Sequence, residues 1–553
     1  MNTEQNYRRW LTWPSMTEEL KKDLESMTPE AVNDSFYRSL AFGTGGLRGV
    51  LGAGTNKMNV FTVYQATRGL GNYLKEAFPA PSCAISYDSR IHSRDFAELA
   101  AAALAEMGIR VWIYAFLMPT PMLSYTVRYL RTSAGIMITA SHNPAKFNGY
   151  KVYGSDGCQI TLVAAETIQR CIDAEDVLAD ALPSFEEGLR SGMIRIIDQD
   201  LIESYYTMIL GLRVKPSTHP LHVVYSPLYG TGNVPVREVL RRLGYVRLDV
   251  VKEQVEPDGL FPTCPYPNPE VREAMTLAIQ QTVDSQADLC FATDPDCDRM
   301  GAGVRCGNQV TLITGNEMGI LMLDYLCRTK RFDASLPPVV VKTIVSTDMA
   351  ERLCRKYGIE LRNVLTGFKF IGEQIGLLES ASQADRFLFG FEESYGYLSG
   401  TEVRDKDAVN ASLLLCELAS DLKAQGKTLT DRLNELREEF GYDAQRLLTF
   451  EYEGADGAAR MAGIMTALRK PLPDFDDPLI RASDRLDYLT GVSGLPCSDV
   501  LQFNLPENRK IIVRPSGTEP KLKAYLFAAG KSPSDSAAQL DQLEGIVNGL
   551  CRA

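Results

Sequence analysis

The chain has 553 residues, of which 45% are hydrophobic and 23% charged, as in soluble globular proteins, and one domain per 150 residues or so predicts about four domains. The net charge of −12, with no basic tract to offset it, argues against nonspecific nucleic-acid binding, so an anionic ligand needs local clusters of Arg and Lys. The chain has no apolar run of about 18 residues, and its N-terminus does not have the apolar core of a signal peptide. Its 12 cysteines are scattered along the sequence. These features together predict a cytoplasmic protein with no membrane partner.

Helix and strand candidates begin with residues 1–40, which read as helical and polar. Strand candidates at 82–86, 111–114 and 135–138 then alternate with helices such as 94–107. Alternation of this kind predicts largely parallel sheets covered by helices.

The same pattern restarts twice and then changes. Strand candidates at 221–225 and 339–342 each lead into a helix, at 234–243 and 348–357 respectively. Three α/β units follow from this repetition. The end of the chain differs, because two strand candidates precede one long helix there, at 510–513, 523–527 and from residue 534. This order predicts a separate α+β domain.

A serine is presented directly after the apolar candidate strand 135–138. The segment 139–144 reads Thr-Ala-Ser-His-Asn-Pro. Pro144 fixes its own φ and restricts the residue before it, so the loop that carries Ser141 and His142 is stiff. A Ser-His pair of this kind is, on its own, often only part of a turn.

Three aspartates, Asp294, Asp296 and Asp298, follow the buried strand candidate 289–292. In an extended segment alternate side chains point to one side, so the three carboxylates are expected to converge and to repel each other unless a cation neutralises them. Ligation by oxygen alone favours Mg²⁺, Mn²⁺ or Ca²⁺ over zinc. The alternative is a solvated acidic turn. Arg299 follows directly and could hold a substrate oxygen.

Two loops are suited to bind anions. In the segment 514–518, Arg-Pro-Ser-Gly-Thr, an arginine fork, two hydroxyls and a glycine can surround an oxyanion, and Lys523 adds positive charge. The segment 43–49 is rich in glycine but fails both nucleotide-binding spacings, so it is interpreted as a loop that presents Arg48 to an anion. A plain turn with a surface arginine is the alternative for the first.

Paired carboxylates beside a serine and glycines occur in the segment 390–397, Gly-Phe-Glu-Glu-Ser-Tyr-Gly-Tyr. A carboxylate can accept hydrogen bonds from two vicinal sugar hydroxyls, although an ordinary acidic loop would look the same. A presented serine, a divalent-metal loop and a phosphate loop together predict phosphoryl transfer through a phosphoserine.

These segments, in this order, resemble the α-D-phosphohexomutase superfamily, and most of all its phosphoglucomutase/phosphopentomutase group. The resemblance runs from about Phe42 to Tyr525. It implies three α/β mixed-sheet domains and a C-terminal α+β domain of the TATA-box-binding-protein-like fold around a central cleft. The expected domains are 1–200 with the phosphoserine loop, 201–306 with the metal loop, 307–440 with the sugar loop and 441–553 with the phosphate loop.

The resemblance also assigns roles to residues. Ser141 would be the phosphorylated serine, and its phosphate would bind Mg²⁺ together with Asp294, Asp296 and Asp298. Lys151 matches the family's general acid or base, and its pKa is expected to be depressed by the neighbouring Arg48. His142 and Arg48 would flank the phosphoserine. The substrate-binding positions that match the family are Thr366, Gly367, Lys369, Glu392, Ser394, Arg514, Ser516, Gly517 and Thr518. Arg299 and Lys523 are added to the predicted substrate-binding residues because of the charges described above.

The implied activity is that of an intramolecular phosphotransferase of the isomerase class. It would interconvert α-D-glucose 1-phosphate and glucose 6-phosphate through a phosphoserine and a glucose 1,6-bisphosphate intermediate, which also primes the serine. Phosphopentomutase, phosphomannomutase and bisphosphate synthase share the mechanism and stay open, as do a phosphatase and a non-catalytic sugar-phosphate binder. The oligomeric state is left open. Cys297 stands where the family usually has glycine or alanine, so oxidation sensitivity or affinity for softer metals is expected there.

Overall fold

The computed structural model of the protein describes all residues except Met1, Thr44, 216–218, 333–334, 453–456, Ser493, 516–520 and 552–553. Three short helices begin the chain, as predicted: α1 (Thr3–Leu11), α2 (Glu18–Glu25) and α3 (Pro29–Phe36). Each has a side-chain N-cap, from Asn2, Thr17 and Thr28.

A six-stranded mixed sheet follows, with strand order β1-β5-β4-β2-β3-β6. Its strands are β1 (Gly46–Val50), β2 (Ser82–Tyr87), β3 (Arg110–Ile113), β4 (Ala134–Ile138), β5 (Phe147–Gly154) and β6 (Ile194–Ile196). Its helices are α4 (Val60–Ala77), α5 (Ser93–Glu106), α6 (Thr120–Leu130), α7 (Leu162–Asp173), α8 (Phe185–Ser191) and α9 (Gln199–Gly211).

The second sheet has the order β11-β10-β9-β7-β8. It contains β7 (Leu221–Ser226), β8 (Val246–Val250), β9 (Leu289–Thr293), β10 (Met300–Cys306) and β11 (Gln309–Ile313), with helices α10 (Asn233–Leu243) and α11 (Thr276–Asp284).

The third sheet has the order β13-β12-β14-β15. Its strands are β12 (Val339–Thr343), β13 (Glu360–Val364), β14 (Phe387–Glu392) and β15 (Gly396–Leu398). Its helices are α12 (Gly315–Thr329), α13 (Met349–Tyr357), α14 (Phe368–Ser380), α15 (Ala408–Ala424) and α16 (Leu429–Phe440).

The fourth sheet is antiparallel throughout, with the order β16-β20-β19-β18-β17. It contains β16 (Tyr442–Glu451), β17 (Asp484–Asp487), β18 (Leu501–Leu505), β19 (Arg509–Pro515) and β20 (Lys521–Gly530), with helices α17 (Gly457–Leu468), α18 (Pro478–Arg481) and α19 (Pro533–Cys551). The α+β fold predicted for the end of the chain is therefore confirmed. Among the described residues no helix has both the length and the apolar character that a membrane crossing requires.

One strand has the same position in each of the first three sheets. The strands β4, β9 and β14 are buried along their whole length. Each pairs in parallel with an earlier strand and antiparallel with the strand that follows it in the chain. The sheets are therefore mixed rather than parallel. After each of these strands a short connection leads directly to the strand that pairs antiparallel with it. These three connections carry Ser141, the three aspartates and the Glu392 segment.

The fourth sheet packs against the third domain through a small apolar cluster. It contains residues of both: Ile344, Val345, Leu365, Tyr488, Val500, Ile512, Tyr525 and Phe527. Lys510 Nζ adds an ion pair with the two carboxylate oxygens of Asp348, at 2.8 and 2.9 Å. These contacts place β19 and β20 beside the connections described above.

Because Asp407 is buried, we expect the folding stability of the protein to depend on pH. It caps α15 by accepting from Asn410 N (2.9 Å) and from the Tyr205 hydroxyl (2.9 Å), and burial raises its pKa to about 6. The unfolded value is about 3.9, so between these values the folded state holds a proton that the unfolded chain has released. Stability therefore falls as pH rises through this range, and Asp407→Asn should raise the free energy of unfolding by about 1–3 kcal/mol at pH 7.5.

The gain from Asp407→Asn should shrink towards pH 4.5, as measured by thermal melts across this range. Asp198 is an exposed N-cap of α9, and Asp198→Asn serves as the matched control without a pH-dependent gain. An equal gain at both pH values for Asp407→Asn would contradict the expectation.

Candidate active site

Ser141 lies at the carboxyl end of β4, and its backbone is left-handed (φ 52°). The side chain is almost fully buried. Its Oγ donates to Asp294 Oδ2 at 2.9 Å and lies 3.4 Å from His142 Nδ1. The serine hydroxyl is thus already bound to a carboxylate of the aspartate cluster, although 153 residues separate the two in the chain.

His142 accepts a hydrogen bond at Nδ1 from Arg299, at 2.7 Å. Burial, with the nearby charges of Arg299 and Arg48, holds the pKa of His142 well below its usual range. The imidazole is therefore neutral at pH 7. Arg48, on β1, is exposed to the same cleft.

The three aspartates converge, as predicted, but not along an extended segment. The chain turns at 295–297, and Cys297 has a left-handed backbone (φ 52°). One oxygen from each carboxylate lies within 4.8 Å of the others, and all three side chains are buried. The expectation of an extended segment is wrong, since a tight turn brings the carboxylates together.

A divalent cation fits this cluster. Burial, together with the charges of Asp298 and Asp296, raises the pKa of Asp294 well above its usual range. Asp296 Oδ1 and Asp298 Oδ1 are buried without a hydrogen-bond partner among the described residues. Buried oxygens that are left without donors are the ligands that a hard cation prefers.

Lys151 and Lys406 supply the nearest positive charges. Lys151 Nζ lies 2.7 Å from Asp296 Oδ2 and 3.6 Å from Asp298 Oδ2. Lys406 Nζ lies 3.1 Å from Asp298 Oδ2. Burial lowers the pKa of Lys151, but the two carboxylates outweigh it and the pKa is raised. The depressed pKa expected from Arg48 is therefore wrong for this arrangement.

A cleft of about 760 Å³ opens above the serine and is lined by residues from all four sheets and their connections. This volume is typical of small-molecule sites. The predicted residues that line it are Arg48, Ser141, His142, Lys151, Asp298, Arg299, Thr366, Gly367, Glu392, Ser394, Arg514 and Lys523.

Two predicted aspartates and one predicted lysine do not line the cleft. Asp294 and Asp296 are completely buried below Ser141. The Lys369 ammonium lies over the ring of Phe370, 5.3 Å from its centre, so the structure does not bring this lysine to the cleft wall. Its backbone follows Phe368, which begins α14 and does line the cleft.

The sugar-loop residues lie where β14 ends. Burial raises the pKa of both Glu392 and Glu393. Glu393 accepts from Thr343 Oγ1 at 3.1 Å, and Lys406 Nζ is 4.0 Å from Glu392. The Thr366 hydroxyl is buried without a partner among the described residues, which leaves it available to a ligand in the cleft.

Arg514 and Lys523 line the cleft on the side of the fourth sheet. They are cross-strand neighbours on β19 and β20. Burial, together with the Arg514 charge, lowers the pKa of Lys523, and Arg514 Nε is buried without a partner in the described part of the chain. Two adjacent cations facing a cleft are suited to bind an anion. The predicted Ser516, Gly517 and Thr518 lie outside the described residues.

Comparison with known proteins identifies the family. Three family models match in order: phosphoglucomutase/phosphomannomutase alpha/beta/alpha domain I at residues 39–178, domain II at 203–307 and domain III at 314–440. A phosphoglucomutase of Staphylococcus haemolyticus is 37% identical over 517 residues, which is 91% of this chain and 92% of that protein. The chain belongs to the phosphoglucomutase/phosphomannomutase family.

Other members of this family agree with the assignment. A phosphoglucomutase of Staphylococcus aureus (strain USA300) is 36% identical over 523 residues, covering 92% of this chain and 93% of that protein. A putative phosphomannomutase from Thermus thermophilus shares the fold, with a TM-score of 0.68 at 22% identity over 92% of this chain and 99% of that one. The open form of parafusin from Paramecium has the same TM-score at 17% identity, over 93% and 95% of the two chains.

The sequence of this family member did not indicate several charged residues of the cleft, and two of them, Lys406 and Glu270, lie close to predicted site residues. Lys406 is held between Asp298, Asp405 (3.2 Å) and Glu392, which keeps it charged. The dense charges of 404–407, directly before an apolar helix, were a usable signal for it. Glu270 Oε1 lies 3.8 Å from Arg299 NH1, and this buried oxygen has no hydrogen-bond partner among the described residues. No pattern around Glu270 pointed to the cleft.

Cys297 is not arranged for the reactivity expected from its position. Its thiol packs behind the turn, where a Cβ added to Gly232 would lie 2.8 Å from Sγ. Burial raises the pKa of this thiol well above its usual range, so it stays protonated and unreactive. We expect a thiol reagent to label the exposed Cys306 and Cys497 in the native protein, and Cys297 only after unfolding. Peptide mapping would show the order, and rapid native labelling at Cys297 would contradict it.

Proposed function

We propose that this phosphohexomutase-family enzyme interconverts α-D-glucose 1-phosphate and glucose 6-phosphate, with phospho-Ser141 as donor and acceptor and glucose 1,6-bisphosphate as the intermediate. One observation carries the proposal. A buried serine hydroxyl donates to a carboxylate of a convergent aspartate cluster, on the floor of a cleft that four domains line. The proposed domains are 1–200, 201–306, 307–440 and 441–553, and the proposed location is the cytoplasm, supported by 12 free thiols, nine of them buried.

Mg²⁺ is the proposed cofactor. Asp294, Asp296, Asp298 and a phosphate oxygen on Ser141 would hold it, because their oxygens converge and two are left without donors. When bound, Mg²⁺ would neutralise the carboxylates and offset charge on the transferring phosphoryl oxygens. Because Lys151 pairs with Asp296 and Asp298, a cation bound by these carboxylates would weaken the negative charge that raises the pKa of Lys151.

Phosphoryl transfer then follows from the placement of the side chains. The bond between phosphorus and Ser141 Oγ would break while O6 of glucose 1-phosphate bonds to phosphorus, and the O6 proton would pass by way of Lys151 to the leaving Ser141 Oγ. This proton would be the one that leaves Ser141 again in the second transfer. The resulting bisphosphate turns round in the cleft. Its O1 phosphoryl group returns to Ser141, the proton goes back to O1, and glucose 6-phosphate leaves.

Binding residues are proposed for each end of the substrate. Arg514 and Lys523, with Ser516, Gly517 and Thr518, would hold the phosphate that is not transferred. Arg48, His142 and Arg299 would surround the transferring phosphate. Sugar hydroxyls would bind at Glu392, Ser394, Thr366, Gly367 and Lys369, and Lys369 would first have to leave its position over Phe370.

A coupled mutase assay with Mg²⁺ tests the proposal. Glucose 1-phosphate, mannose 1-phosphate and ribose 1-phosphate are compared by kcat/KM, after priming with glucose 1,6-bisphosphate. A preference for glucose 1-phosphate is expected. Preference for ribose or mannose 1-phosphate would reassign the substrate and keep the mechanism. Release of inorganic phosphate would indicate a phosphatase, and no turnover of any substrate would overturn the mutase proposal.

A further inference from the structure

Arg90 is a buried cation that the proposed reaction does not use. Its side chain is completely buried and lies over the ring of Phe261, 5.1 Å from its centre. It belongs to the connection after β2. Because β2 and β4 are neighbouring parallel strands, this connection and the serine loop leave the sheet at the same edge.

The guanidinium of Arg90 binds four backbone carbonyls of the serine loop. NH1 donates to the carbonyls of Pro144 (3.0 Å) and Phe147 (3.1 Å), and NH2 donates to those of Ser141 and Asn143. The fork geometry of arginine suits this task, and a lysine ammonium cannot reproduce it. The Arg90 side chain thus links the backbone carbonyls of four residues in and next to the serine loop.

The other side of Ser141 is held through Thr139 and Asp88. The backbone N–H of Ser141 donates to Thr139 Oγ1 (2.7 Å), which donates to Asp88 Oδ2 (2.6 Å). Asp88 is buried, accepts from Ser93 Oγ at 2.7 Å and lies 3.4 Å from Arg90 Nε. The Arg90 backbone N–H also donates to Asp88 Oδ1 at 3.0 Å, so Asp88 and Arg90 together connect the N–H and the C=O of Ser141.

We propose that Asp88, Arg90 and Thr139 form a serine clamp that keeps the backbone of Ser141 left-handed and so places its Oγ for phosphoryl transfer. A left-handed backbone is unfavourable for a residue with a Cβ and persists only where its surroundings impose it. These three are positioning residues, since they act on the peptide groups of Ser141 and not on the substrate. The inference rests on the proposed role of Ser141.

Arg90→Lys and Thr139→Val test the two sides of the clamp. Displacement of a reacting atom by about 1 Å can cost about 10²-fold in rate, so kcat should fall about 10–100-fold in each variant, with KM for glucose 1-phosphate within about twofold. Thr139→Ser keeps the hydroxyl and should stay within about threefold of the wild type. Arg509→Lys is the matched control, because Arg509 is also buried and donates to a backbone carbonyl, that of Pro506, far from the serine.

The measurements are kcat and KM, the melting temperature, the rate of Ser141 phosphorylation by glucose 1,6-bisphosphate, and amide hydrogen exchange over residues 139–147. Slow phosphorylation and faster exchange in Arg90→Lys and Thr139→Val, but not in Thr139→Ser, are expected. If wild-type Ser141 takes up no phosphoryl group, the proposed function fails, and exchange alone then decides whether the clamp exists. Unchanged exchange, or kcat losses matched by Arg509→Lys at an equal loss of melting temperature, would overturn the clamp.

Discussion

Ser141→Ala is expected to lower kcat by about 10⁴-fold or more and to abolish phosphorylation by glucose 1,6-bisphosphate. The hydroxyl of Ser141 is the proposed nucleophile and is hydrogen-bonded to Asp294. Removal of a nucleophile that works as part of one unit removes nearly the whole effect of that unit. Intact-mass measurement of phosphate uptake, together with the coupled assay, checks both parts of the expectation.

Two further variants separate the loss of the hydroxyl from other causes. Ser141→Gly removes the same hydroxyl but accepts φ 52° without strain, so it should be as inactive as the alanine variant. Ser394→Ala removes a serine that lines the same cleft, and this variant should still become phosphorylated. More than about 1% residual mutase activity in Ser141→Gly, or phosphate on a different residue, would refute the nucleophile assignment.

Removal of divalent cations is expected to reduce activity by about 10³-fold or more, and Mg²⁺ should restore it, since charge stabilisation at the transferring group is the main catalytic task in phosphoryl transfer. A cation that binds only the folded chain also raises stability, so the melting temperature should rise with Mg²⁺ concentration. Activity assays and thermal melts after chelation, with and without added Mg²⁺, provide the two readouts.

Asp294→Asn should separate stability from function. Burial and two neighbouring carboxylates disfavour the charge on Asp294, so its removal should stabilise the metal-free protein. The same change should weaken the response to Mg²⁺ and abolish turnover. Asp474→Asn, in an exposed acidic loop, is the control and should leave both unchanged. A Mg²⁺ response in Asp294→Asn equal to that of the wild type would refute the cation site.

Much of the fold could be predicted because its strands are short apolar runs. The candidates 82–86, 221–225, 289–292 and 339–342 all lie within strands, and the relatives confirm the family, the four-domain fold class and the enzyme class. The domain boundaries and the roles of individual site residues stay predictions. The βαβ alternation did not predict that the sheets are mixed. A sheet is mixed here because one strand pairs antiparallel with the strand just before it in the chain, and the order of helices and strands does not show this pairing.

Features that depend on distant partners could not be predicted. Lys406 contacts Asp298 from another domain, and Glu270 lies beside Arg299 from a distant part of its own domain, so the local sequence around each residue does not indicate these neighbours. The left-handed backbone at Cys297, which replaces the expected extended segment, likewise results from tertiary packing. The pKa of Lys151 was expected to be lowered by Arg48, but Asp296 and Asp298, with carboxylate oxygens 2.7 and 3.6 Å from Nζ, raise it.

The equivalent positions of β4, β9 and β14 have a consequence for how such an enzyme can diversify. The proposed nucleophile, the acidic cluster and the proposed sugar contacts each lie on a separate sheet, in a connection between a parallel and an antiparallel strand pair. A mutation in the 390–397 segment can therefore change the proposed sugar contacts and leave the serine and the aspartates in place, provided that it keeps Lys406 between Glu392 and Asp298 and keeps the hydrogen bond from the Met300 N–H to the Tyr395 carbonyl. Substrate preference could then change while the serine and the aspartates are retained, which accords with a family that comprises both phosphoglucomutases and phosphomannomutases.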